Sequence, residues 1–423
     1  MGRTRTTRMV VLAAAATMVV GGLAFGTGPA TAGTPATRFV ATTGADAGNC
    51  ANAASPCLTI TYAVSQAAVG DVVSVAAGHY PEEVVVDRPI VFRGANAGIR
   101  AGVTGAPRGP ESVVKGFRSA GDPYPTAASA FDVTIDGFTV SPQGDAALIA
   151  GGEIPHHLIS LFGGNRVVVK NNRFRGGPFV PDCSYTCTTM ADYALLLQSG
   201  AFTVKDNTFA NFRRPIDISQ NDATHPVTAG TISGNLFRHI TSRGIWLREG
   251  DGQEVDTMAG VAVTANTFDN TGSLSPVTGG PAAIVLTTSG HTVSGNTFRG
   301  NDPGVFDQIC DPGNHPNGLP NRFKRNTFEG NVDGIFYFAV DTNLCPPDNT
   351  DRIARNSFTG NSGYGVRWYP VDTAPDEVNA TCNWWGSADG PGADGADRVT
   401  SGVRFTPWKV DPGFAPGVCR GGM

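Results

Sequence analysis

Charge is scarce in this 423-residue chain. Asp, Glu, Lys and Arg together make up 16% of it, and there are only 7 histidines and 6 methionines. So little charge argues against a long solvated helix or a coiled coil. No cluster of Lys and Arg stands out along the sequence, so a nucleic-acid partner is not expected. The histidines are scattered, with only His156 and His157 adjacent. An accessory protein that handles a metal is therefore the weakest of the readings considered. After the first 25 residues no long apolar run occurs, so the rest of the chain is not expected to insert into a membrane. Leu is sparse and no helical stretch fills a repeat, which disfavours a leucine-rich repeat. What is abundant is glycine, at 55 residues, within a chain that is 40% hydrophobic. That balance suits many short strands and many turns.

The N-terminus reads as a leader. Arg3, Arg5 and Arg8 precede the apolar stretch Met9 to Phe25, and Ala30-Thr31-Ala32 is a small-residue cleavage site. A signal peptide over 1–32 and a secreted, extracellular chain are expected. The absence of a twin-arginine pair favours Sec export. Loss of the leader's three arginines takes the formal charge from −5 to −8. All eight cysteines follow the leader, and an even count in an oxidising compartment implies disulfides. Their order suggests the pairs Cys50–Cys57, Cys183–Cys187, Cys310–Cys345 and Cys382–Cys419. Zinc is the rival for Cys183 and Cys187, but no second half of a four-ligand site accompanies them.

A short phrase recurs: an apolar residue, two variable positions, Asn, one variable position, Phe. It runs from Val169-Lys-Asn-Asn172-Arg-Phe174 through Val263-Thr-Ala-Asn266-Thr-Phe268 to Ile353-Ala-Arg-Asn356-Ser-Phe358, and Asn383-Trp384-Trp385 is a degenerate last copy. The asparagines fall at 172, 207, 235, 266, 296, 326, 356 and 383, mostly about 30 residues apart. A second short strand follows each copy, as in Ile216-Asp-Ile-Ser219, Ile245-Trp-Leu-Arg248 and Ile335-Phe-Tyr-Phe338. A strand of four or five residues cannot bury its apolar face alone. Stacking coils at strand spacing, ~4.8 Å, lets Phe lie on Phe and Ile on Ile. The expected fold is all-β: a single-stranded right-handed parallel β-helix over 33–423. The Asn column is structural in this reading, placed at a bend because Asn tolerates the left-handed conformation and its amide can bond the coils above and below.

A solenoid needs caps. A short amphipathic helix is expected over 58–67, inside an N-terminal cap and first coil over 38–80, and a C-terminal cap over 378–423. Thr59-Ile60, Ala63-Val64, Gly70-Asp71, Gly78, Tyr80, Glu82 and Arg93-Gly94 resemble the opening of bacterial pectate-lyase-like β-helix proteins with carbohydrate-binding and sugar-hydrolase type repeats. Asn383-Trp384-Trp385-Gly386, Gly390-Pro391 and Phe405-Thr-Pro-Trp408 are similar to their closing segment. The resemblance covers roughly 38–410. It implies the fold and, more loosely, an extracellular polysaccharide as partner, since such folds host lyases, hydrolases, epimerases and non-catalytic surface proteins.

Period-two alternation places two outward columns on the second strands. One reads Leu195, Asp217, Trp246, Val285, Phe306, Phe336, Arg367; the other Leu197, Ser219, Arg248, Thr287, Gln308, Phe338, Tyr369. Asp307 breaks the alternation, so a one-residue slip at Phe306 is the alternative register. Trp246, Phe306, Phe336, Phe338 and Tyr369 are the candidate sugar-stacking residues, unless insertion loops cover them. Asp217, Arg243, Arg248 and Glu249 are the candidate catalytic groups, with Asp217 and Arg248 diagonal on adjacent coils. A polyuronate lyase would use Arg248 as base and Arg243 or Ca²⁺ to neutralise the substrate carboxylate. An inverting hydrolase would use Asp217 and Glu249 as its carboxylate pair. A surface salt-bridge cluster is the plainer reading of the same residues. No Asp-Asp or Arg-Pro-x-x-Arg signature of the lyase and polygalacturonase branches is present. Ca²⁺ is the candidate metal, at Asp389, Asp394 and Asp397, where a metal-free turn-rich loop is the alternative. The leading expectation is a monomeric secreted protein that binds an acidic glycan and acts on it as lyase or hydrolase. The alternative is a non-catalytic cell-surface or adhesive β-helix.

Overall fold

The computed structural model describes residues 34–423 apart from 102–106, 121–131, 143–156, 162–165, 180–189, 199, 221–226, 250–257, 272–281, 309–318, 340–351, 371–377, 415–418 and 420–423. The leader therefore lies outside the described residues, as do Cys183, Cys187, Cys310 and Cys345. Pro35–Met423 forms one compact unit. Among the described residues no helix is long and apolar enough to cross a membrane.

The unit is a right-handed parallel β-solenoid. Among the described residues thirteen strands, from Thr37–Val40 to Val403–Arg404, stack in parallel as a first sheet. The other eighteen form two further parallel ladders. These join where the long strand Ser112–Ser119 pairs with Phe138–Val140 through one half and with His157–Leu161 through the other. The second sheet runs from Phe138–Val140 to Ser357–Thr359, and the third from His157–Leu161 to Tyr364–Pro370.

The second sheet carries the phenylalanine column. Rings 174, 209, 237, 268, 298, 328 and 358 stack with centroids 4.6–5.0 Å apart, and Trp385 closes the column on Phe358 at 4.8 Å. That separation is the rise from coil to coil, so the expected ring-on-ring core is realised.

The asparagine ladder is equally regular. The backbone N–H and the side-chain amide of Asn235 both donate to Oδ1 of Asn266, and Asn266 does the same to Asn296. The spare amide hydrogen reaches a carbonyl one coil back, as from Asn266 to Ile232. The series runs unbroken from Asn172 to Asn383. One expectation needs correcting. The left-handed residue is the one before each ladder asparagine: Asn171, Asp206, Gly234, Ala265, Gly295, Arg325, Arg355 and Cys382, with φ from 54° to 65°. Asn is required for its amide, while the bend falls on a position the sequence leaves variable. A second, shorter ladder escaped notice in the sequence: Asn301, Asn331 and Asn361 repeat the pattern after the second sheet and end on Asp397.

The N-terminal cap contains the helix Ile60–Ser65. The Thr59 hydroxyl accepts from the Tyr62 N–H, and the N–H groups of Ile60 and Thr61 donate to the Glu82 carboxylate. Cys50–Cys57 and Cys382–Cys419 are disulfides. Asp307 points inward without any slip of register: its strand pairs Val305 with Ile335, Phe306 with Phe336 and Asp307 with Tyr337. It is accommodated by a polar network inside the coil. Asn321 donates to Asp307 and accepts from the His291 N–H. His291 lies 2.8 Å from the Thr288 hydroxyl, and burial pushes its pKa down to about 3. The neutral ring accepts from the Val261 N–H at Nδ1, so Nε2 carries the proton toward Thr288.

Candidate functional site on the third sheet

The third sheet places one outward column from Leu196 through Asp217, Trp246, Val285, Phe306 and Phe336 to Arg367. Beside it, Arg248 pairs with Ser219 and Tyr369 with Phe338. Leu195 and Leu197 were expected outside and are inside, in register with Ile216 and Ile218. The run Leu195-Leu196-Leu197 has no alternation to fix its phase, so only pairing with a neighbour can.

One end of the face is aromatic. Phe306 meets Phe336 edge-on at 5.3 Å, and Phe338 stacks on Tyr369 at 5.8 Å with the planes 13° apart. Phe306 is buried, Phe336 and Phe338 are half-buried, and Tyr369 is 49% exposed. Ala282, Val285 and Phe306 form an apolar cluster separate from the solenoid core, and Trp246, Phe336 and Phe338 pack against it. The Arg367 guanidinium lies 4.7 Å from the Phe336 ring centre and pairs with Asp333.

The other end is charged. Trp246 lies under two guanidiniums, Arg243 at 3.9 Å and Arg248 at 4.5 Å from its ring centre. Arg248 also donates Nε and one terminal nitrogen to the Asp217 carboxylate at 3.2–3.3 Å. Asp217 is fully buried. Burial pushes its pKa up, and Arg248, with Arg214 and Arg243 behind it, pulls the other way. One coil earlier, Tyr193 stacks on His157 at 4.9 Å, and the Arg214 guanidinium lies over the Tyr193 ring at 4.6 Å. Asp192 accepts from Arg214 and pairs with Arg213. Burial, then the Asp217 charge, raises the Tyr193 phenol to about 12. Asp192 and Tyr193 were not singled out in the sequence. Their one signal is position, two strand residues ahead of a pairing that the triple-Leu run conceals.

A family model described as a right handed beta helix region matches residues 193–373, and one described as a protein of unknown function (DUF1565) matches 42–253, half of the chain. The chain belongs to the right-handed β-helix superfamily. No curated protein and no solved structure gives a significant match.

In this β-helix protein the charged end brings together, among the described residues, the guanidiniums of Arg213, Arg214, Arg243 and Arg248 and the carboxylates of Asp192 and Asp217. Both carboxylates are spent on arginines. Arg248 donates Nε and a terminal nitrogen to buried Asp217, so the two side chains expected to act separately stand as a hydrogen-bonded pair. Glu249 ends the strand Arg243–Glu249, and its side chain lies outside the described residues. The described geometry thus sets a cluster of guanidiniums beside an aromatic surface on one face of the third sheet. At the C-terminal cap, the Asp397 oxygens accept from the Asn361 backbone and side chain, so this carboxylate terminates a ladder. Among the described residues no group of three His, Cys, Asp or Glu is placed to hold a metal ion.

Proposed function

We propose that this is a secreted protein that binds an acidic extracellular polysaccharide along the outward face of the third sheet, as a recognition surface and not as a hydrolase. The observation that carries this reading is the aromatic run from Tyr369 through Phe338 and Phe336 to Phe306, continued past Val285 by Trp246 with Arg243 and Arg248 over its ring. Aromatic faces suit the apolar faces of sugar rings, and guanidiniums suit carboxylates or sulfates. The leader supports export.

The test is a panel of pectate, alginate, glycosaminoglycans and neutral glucans. Binding is measured by calorimetry, and unsaturated products and new reducing ends are followed with Ca²⁺ and with chelator. Retention of one acidic polymer without product is expected, weakened about tenfold by Phe338→Ala/Tyr369→Ala with the melting temperature held. Unsaturated product would replace the reading with a lyase. Absence of binding across the panel would leave the adhesive alternative.

A further inference from the structure

The first sheet changes character along the solenoid. Over its middle coils the outward positions are small and neutral: Thr231, Ala262 and Thr292 in one column, Ser233, Thr264 and Ser294 in the next. At the C-terminal end the same columns turn basic. Thr292 is followed by Arg322 and then Arg352, and Ser294 by Lys324. The left-handed corner beside them carries Arg325 and Arg355, joined directly by the bond from the Arg325 N–H to the Arg355 carbonyl. Past Asn379 the first column ends on Arg404.

All six cations are exposed, and among the described residues none of them makes an ion pair. This contrasts with the third sheet, where each arginine of the charged end is engaged. Arg322 and Arg352 stand directly opposite each other at strand spacing, an arrangement of like charges that costs stability. The whole chain is meanwhile acidic, with a formal charge of −5. A row of cations repeated at the coil rise, ~4.8 Å, matches a linear polymer whose charges recur once per ring. Among the described residues, its outward columns on the strands carry no aromatic side chain of the kind on which single-stranded nucleic acid stacks.

We infer that the C-terminal coils of the first sheet form a second binding face, for a linear polyanion with one charge per sugar ring, lying along the solenoid axis. This face is independent of the one on the third sheet, so one chain could hold two glycan strands at once.

The probe is sodium polygalacturonate, titrated calorimetrically into the full chain at 50 and 200 mM NaCl, with neutral dextran and oligo-dT alongside. The key variant is Arg322→Gln/Arg352→Gln/Arg355→Gln. Its side chains are exposed, and its fold is checked by circular dichroism and melting. The expected result is at least about tenfold weaker binding at 50 mM and a flatter salt dependence, because fewer counterions are released. Phe338→Ala/Tyr369→Ala should retain this salt-dependent part. Retention there, together with loss in the triple variant, supports the first-sheet face even if the third-sheet reading fails. Unchanged affinity in the triple variant, equal affinity for dextran, tighter binding of oligo-dT, or no binding of polygalacturonate at all would each overturn the inference.

Discussion

Replacing Asn266 by alanine should cost far more than the loss of a small polar side chain suggests. The Asn266 carbonyl oxygen accepts from the backbone N–H and the amide of Asn235, each at 2.9 Å, and the residue is buried. Its own amide donates to the Ile232 carbonyl at 2.9 Å and to Asn296 at 3.0 Å. Alanine removes all four bonds. Asn296 still accepts from the residue-266 backbone N–H, so the true orphans are the two Asn235 donors. A buried unsatisfied donor costs about 1–3 kcal/mol, which gives about 2–6 kcal/mol for the substitution. Repeat arrays need not unfold as one unit, so a urea midpoint should be paired with hydrogen exchange at the Asn235 amide. A large midpoint shift and fast exchange at Asn235 are expected. Thr264→Ala, at an outward position on the same coil, should change stability by less than ~0.5 kcal/mol. A loss below ~1 kcal/mol for Asn266→Ala, with Asn235 still protected, would refute the view that the ladder is a load shared from coil to coil.

Two other substitutions test the corners and the ladder end. Ala265 sits at φ 54°, between Gly234 and Gly295 in the same column, so Ala265→Gly should stabilise the chain by about 0.5–1 kcal/mol, seen as a higher urea midpoint. Burial raises the Asp397 carboxyl above its ordinary value, so the folded state holds that proton more tightly than the unfolded chain. Stability from this group is therefore present below the unfolded value and is lost as pH rises through the folded one. Asp397→Asn should remove that loss, giving an advantage at pH 7 that disappears near pH 3 in paired urea titrations. An advantage that grows on acidification would show the sign to be wrong.

The repeat was legible because identical coils demand identical inward residues. Phe every 30 residues and Asn two places before it are short-range signals, copied often enough to be unmistakable. The short N-terminal helix and the pairs Cys50–Cys57 and Cys382–Cys419 were legible for similar local reasons. The phase of Leu195-Leu196-Leu197 was not, because a uniformly apolar strand reads the same from either face. Nor was the inward placement of Asp307, which depends on Asn321 arriving from the next coil.

The sequence by itself determined the solenoid, its period and the two columns that fill it, since each coil buries a fixed set of side chains against copies of itself. Only the tertiary structure decided what lies on the outside. It brought Asp217 against Arg248 and two guanidiniums onto Trp246. It also gathered Arg322, Lys324, Arg325, Arg352, Arg355 and Arg404 into one basic face, though their spread from residue 322 to residue 404 had kept them from looking like a cluster. Burial is dictated locally by the repeat, whereas charge neighbours on a solenoid are set by stacking one full coil apart.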